Sequence, residues 1–134
     1  MKKNVLIISD SFMPEPVSTA RHMTDLVEEL TIQGYSCTVV STIGRPVFRD
    51  EIPKIDLVTL NNPFKRSSKL ILRLVFEIIY PIVLAIKFHC VVPHKRKYIF
   101  TIIWSPSIFW VLFLLCCSKS QLGSVKLIVR DLFP

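Results

Sequence analysis

NVLIISDSFMPEPVSTARHMTDLVEELTIQGYSCTVVST, residues 4–42, joins two kinds of periodicity through a proline-bearing loop. Val5 to Ser9 is a continuous apolar run with β-branched residues, preceded by Lys2, Lys3 and Asn4 and followed by Asp10. Such a run suits a strand buried on both faces, the habit of parallel sheets. From Thr19 the period changes. Met23, Leu26, Val27 and Leu30 fall at i, i+3, i+4 and i+7, while Arg21, His22, Asp25, Glu28 and Glu29 take the other side. That is an amphipathic helix, with Ser18 placed as its N-cap and Gly34 as its C′ glycine. Tyr35 to Thr42 reads as a second strand. The order strand, loop, helix, glycine, strand is a βαβ unit, which is right-handed almost without exception.

Working outward, Ile55 to Leu60 reads as a short third strand after a loop holding Pro46 and Pro53. Ser67 to Val92 is long, apolar and helical in pattern, and Pro81 inside it is expected to kink or split it. Lys69, Arg73 and Glu77 lie four apart and form one narrow polar stripe on that helix. Lys97 to Ser105 reads as a fourth strand, Ile108 to Cys117 as a short helix capped by Ser105 or Ser107, and Ser124 to Arg130 as a fifth strand. The expected fold is therefore α/β, an open parallel sheet of Rossmann-like form. In such sheets ligands bind beyond the carboxyl ends of the strands. Three segments arrive there: Asp10 to Ser18, Ser105 to Ser107, and Asp131 onward.

The totals narrow the function. The 134 residues fit one domain of ordinary size. Only three glycines occur, and neither GxGxxG nor GxxxxGK[ST] is present, so the common glycine-rich phosphate loops are excluded. The four cysteines form no CxxC and no zinc-ligand spacing, so no metal site is expected. Reduced thiols and a cytosolic setting follow, because Asp10 cuts the N-terminal apolar run too short for a signal peptide. Buried cysteines then act as small hydrophobes. The formal charge is +7, and the mean hydropathy of +0.48 is high. Basic residues cluster at Lys65, Arg66, Lys69 and Arg73, and again at His94, Lys95, Arg96 and Lys97. Either they keep a greasy chain in solution, or they seek an anionic surface at about 1 kcal/mol per cation. Nucleic acid is not an expected partner, for no recognition motif accompanies the charge.

Tyr98 to Ser118 has no charged residue over 21 positions. By length and hydropathy it is a transmembrane candidate. A strand followed by a buried helix uses the same residues without a bilayer. Between these lies a peripheral reading, in which the apolar 70–92 region and the basic runs beside it rest on a membrane surface.

Residues 5–42, together with SPS at 105–107 and VRDLFP at 129–134, resemble the N-terminal domain of bacterial family 4 glycosyltransferases of the GT-B class. The subgroup it is most similar to builds surface polysaccharides such as O-antigen, capsule and colanic acid. The family pattern is an apolar strand, a loop of the form F-P-P-E-x-G, a T/A-R helix, and later x-x-D-L-W/Y-P. This chain departs from it at Val17, where the family has glycine. The resemblance implies that residues 1–134 are an incomplete acceptor-side domain, without the donor-binding second domain. It implies transfer of a sugar from a nucleotide-sugar to a lipid-linked acceptor at the inner face of the plasma membrane, with no metal and no cofactor, and no activity for this chain alone. The alternative expectation is a small membrane-spanning or membrane-anchored protein without enzymatic activity.

Catalytic residues are not identified. The candidates for holding acceptor or phosphate are Glu15, Ser18, Thr19, Arg21, Ser105 and Asp131. Ser18 and Thr19 stand at a helix N-terminus, whose N–H groups suit a phosphate. Arg21 opposes the dipole there, which either marks a ligand or is an ordinary surface arginine. Glu15 either bonds sugar hydroxyls or orders a turn. Asp131 either orients an acceptor hydroxyl or ends a strand with an Asx turn, and Ser105 either caps a helix or touches sugar.

Overall fold

The computed structural model describes residues 3–9, 11–13, 16–41, 55–59, 70–93, 95–104 and 108–128. Five strands form one all-parallel sheet: β1 (Lys3–Ser9), β2 (Tyr35–Ser41), β3 (Asp56–Thr59), β4 (Phe100–Trp104) and β5 (Ser124–Ile128). Their order is β3-β2-β1-β4-β5. Helix α1 (Ser18–Ile32) links β1 to β2, and α2 (Leu70–Val91) precedes β4. Between β4 and β5 come a 3₁₀ turn (Ile108–Trp110), α3 (Val111–Leu115) and α4 (Lys119–Leu122). This is the Rossmann-like open α/β fold expected from the element order.

The alternation along β1 explains its unbroken apolar run. Val5 and Ile7 join Met23, Val27, Cys37 and Val39 in the core beneath α1. Leu6 and Ile8 join Leu84, Phe88, Trp110 and Phe113 in the core on the opposite face. Every side chain from Val5 to Ser9 is buried. The two helical layers follow from connection handedness. The chain steps from β1 to β2 in one direction and from β3 back to β4 in the other. Right-handed crossovers therefore put α1 on one face and α2 on the other.

Phe88 anchors the second core. Its ring meets Phe113 edge-on at 5.6 Å between centroids, and Tyr98 at 6.3 Å. Both spacings lie in the favourable range for aromatic pairs. At the amino edge, Arg96 donates to the Asp56 carboxylate and to Thr38 Oγ1 at 3.4 Å, tying β3, β2 and the approach to β4. The bond to Asp56 raises the Arg96 pKa.

Four outcomes, three of them differences from the sequence reading and one a choice between its alternatives, have physical causes. Pro81 does not split α2, which is a single helix of 22 residues with Pro81 buried inside it. Tyr80, Leu84 and Phe88, on both sides of Pro81, pack into one core and keep the helix continuous. Tyr98–Ser118 is no transmembrane helix: it divides into β4, the 3₁₀ turn and α3. Among the described residues, no helix is long and apolar enough to cross a membrane. The short α4 was not expected. It exists because Gly123, at φ +64, lets the chain turn directly into β5. Finally, Cys37 and Cys117 are buried, whereas Cys90 and Cys116 are exposed, so only half the thiols serve as core hydrophobes. Gly34, at φ +85, ends α1 as expected.

Candidate functional site

The sheet aligns its carboxyl ends in one row. Ser9 pairs with Ser41 and with Trp104, Ser41 with Thr59, and Trp104 with Ile128. The row thus reads Thr59, Ser41, Ser9, Trp104, Ile128 across all five strands. Strand order reverses between β1 and β4, and there the chain departs to opposite faces. From Ser9 it turns toward α1; from Trp104 it turns toward the 3₁₀ turn in the opposite core. That divergence makes the carboxyl ends of β1 and β4 the topological switch point, the usual ligand position in open α/β sheets.

Two of the strands that meet in this row end in a serine. Ser9 and Ser41 are fully buried. Ser9 Oγ donates to the Ser11 carbonyl at 2.7 Å and lies 3.3 Å from the Ser11 amide, closing a tight turn directly after β1. Among the described residues, Ser41 Oγ has no hydrogen-bond partner. A buried hydroxyl left unmatched costs about 1–3 kcal/mol. Phe12, fully buried, follows the turn and packs under α1 with Met23. This plug fixes where the chain enters the helix.

The α1 terminus is unlike the capped start that Ser18 suggested. Ser18 is the first helical residue, and Val17 holds the capping position with φ −123° and ψ 147°. Valine has no side-chain acceptor, so the residue at the cap makes no capping bond. No acidic residue lies in the first turn. The Arg21 amide donates to the Val17 carbonyl at 3.3 Å, the first turn's bond. The positive end of the dipole thus carries no compensating anion in its first turn, and it carries a cation at Arg21. The extended Val17 also accounts for the missing glycine: this backbone needs no positive φ.

Of the six candidates, Ser18 and Arg21 are exposed and Thr19 is half-buried, all on the first turn of α1. Glu15, Ser105 and Asp131 lie outside the described residues. The strands they follow, β1, β4 and β5, end in the same row. The row's own residues, Ser9, Ser41 and Trp104, were missed. Their signal was present: a serine closes each of the apolar runs LIIS and TVVS, and Trp104 closes FTIIW. His22, exposed on α1, has no role in this geometry.

The buried thiols are inert. Burial raises the Cys37 pKa, against the lowering effect of the Thr31 hydroxyl. Burial, with a smaller contribution from Cys116, pushes Cys117 up to about 12. Among the described residues, no group of three or more His, Cys, Asp or Glu is placed to hold a metal ion. No family model matches the chain, and no curated protein or solved structure matches it either.

Proposed function

We propose that this chain is the acceptor-side half of a two-domain GT-B glycosyltransferase of surface-polysaccharide synthesis. Its reaction is transfer of a sugar from a nucleotide-sugar donor to a lipid-linked acceptor at the inner membrane surface. The observation that supports this reading is the switch point between β1 and β4, followed along the chain from β1 by an α1 terminus with no acid in its first turn and a cation at Arg21. A departing diphosphate develops negative charge, and fixed N–H dipoles with a nearby cation stabilise such charge. Glu15 and Ser105 follow β1 and β4, the strands at the switch point, and Asp131 follows β5 beside them; all three are assigned to sugar hydroxyls or acceptor. In this reading the donor is held mainly by a second domain, and these 134 residues contribute diphosphate binding.

The test is an NMR titration of the full chain with inorganic diphosphate, and separately with a nucleoside diphosphate-sugar. Saturable shifts at Phe12, Val17 to Arg21 and Trp104 are expected. Shifts confined to other faces, or sugar transfer by this chain alone, would overturn the reading.

A further inference from the structure

Helix α2 is apolar on the side that faces away from the sheet as well as on the side that faces it. Tyr80, Leu84 and Phe88 are buried against the strands. On the opposite side, Ile71, Val75, Ile79, Ile82 and Ile86 recur at helical spacing and are all exposed, Ile71 by 81% and Ile86 by 59%. Val111 and Leu115 of the neighbouring α3 extend the patch, Leu115 by 76%. A helix of 22 residues is about 33 Å long. Patches this large mark interaction surfaces on soluble chains.

The helix packs against β3, the 3₁₀ turn and α3. Lys87, late in α2, donates to the carbonyl of Thr59 in the carboxyl-edge row. Phe88 meets Tyr98, just ahead of β4 at the amino edge. As the crossover between the parallel strands β3 and β4, the helix runs from the carboxyl edge back to the amino edge. Ahead of the buried Tyr80, Leu70, Ile71, Leu72, Leu74, Val75 and Ile79 are all exposed.

Charge identifies the occupant. Residues 57–130 contain eleven Lys and Arg and a single acid, Glu77, whereas the rest of the chain carries more acids than bases. Lys65, Arg66 and Lys69 immediately precede α2, and Lys95 and Lys97 follow it. The last two are exposed. A second copy would bring two cationic halves together. An anionic lipid surface supplies both the apolar interior and the counter-charge. We propose that the outer face of α2, continued by α3, docks in the plane of an anionic phospholipid bilayer and tethers the sheet at the membrane surface. This deepens the membrane partnership above and rests on it for its setting.

The test uses the full chain with vesicles of phosphatidylcholine, with or without phosphatidylglycerol. Co-sedimentation is expected with the anionic vesicles and is expected to fall as salt rises. Replacing Ile79 and Ile86 with Gln should weaken it about tenfold or more, with an unchanged melting temperature confirming the fold. A nitrobenzoxadiazole label on Cys90, in a Cys116→Ser background, should shift to shorter wavelength on binding. Vesicle binding that ignores the two Gln substitutions and leaves the label unshifted would overturn this face while sparing the membrane partnership. No vesicle binding, with self-association abolished by the same substitutions, would overturn the proposal in favour of a second copy. The diphosphate titration reports on the transferase reading independently of both.

Discussion

Ser9 of β1 and Trp104 of β4 are register partners, and the chain leaves them toward opposite faces of the sheet. Every candidate contact with a ligand lies in α1's first turn, in the carboxyl-edge row or in a segment that leaves that row. The consequence is an opposition between stability and anion binding at the first turn of α1. Val17→Asp places a carboxylate at a capping position that now has no acceptor. It should stabilise the fold by about 1 kcal/mol and weaken diphosphate binding, because the new anion occupies the positive end of the dipole. Urea unfolding and the diphosphate titration measure the two effects. If stability and affinity rise together, the helix terminus is not the anion site.

Arg21→Ala separates a ligand contact from a surface charge. Arg21 is exposed on the first turn of α1, where its charge opposes the dipole. Removing it should leave stability unchanged or raise it by about 0.3–1 kcal/mol. Diphosphate affinity should fall several-fold at low salt. Thermal melts and titrations at two salt concentrations check this. Unaltered affinity would return Arg21 to the solvated face of an amphipathic helix.

Much of this architecture is legible in the sequence because one physical rule dominates each legible part. Val5 to Ser9 is apolar at every position since both faces are covered, and α1 is amphipathic since one face is. Gly34 ends α1 because the backbone there needs φ +85. The illegible parts are those where tertiary packing competes with a local rule. Pro81 disfavours a continuous helix, yet Tyr80, Leu84 and Phe88 seat α2 on the sheet. Tyr98–Ser118 satisfies both a hydropathy rule for membrane spans and the pattern of a strand with a buried helix, and packing decides between them: the residues pair as β4 and bury Phe113. At the site, the helix terminus was legible from its polar run. The buried hydroxyls of Ser9 and Ser41 were not, since only strand register shows that they are neighbours.

Gly123 is a backbone requirement rather than a spacer. At φ +64 a Cβ would collide with the carbonyl oxygens of Tyr98 and Ile99. Those residues lead into β4, and the Ser124 amide donates to the Ile99 carbonyl at 3.2 Å. Gly123→Ala should therefore cost more than the about 1 kcal/mol of strained conformation alone, by separating β5 from β4. A drop in the urea midpoint, with early loss of amide protection across Val125 to Leu127, is the expected result. A midpoint equal to that of the parent chain would show that β5 contributes little to the fold.

The buried thiols give the chain an alkaline limit. In the unfolded chain a cysteine ionises near 9.0, whereas burial pushes Cys117 up to about 12. Cys37, Tyr80 and Tyr98 are raised by burial as well. The folded state therefore binds more protons than the unfolded state above pH 9, and stability falls as pH rises. The contribution is complete below the ordinary thiol pKa and disappears through the window from 9 to about 12. Urea midpoints across that window should decline steadily, and Cys117→Ala should flatten part of the slope. In the same range a charged thiol reagent should modify Cys90 and Cys116 at once, but Cys37 and Cys117 only at the rate of unfolding. Rapid modification of Cys117 in the native state would show that the second core is open to solvent around Phe113.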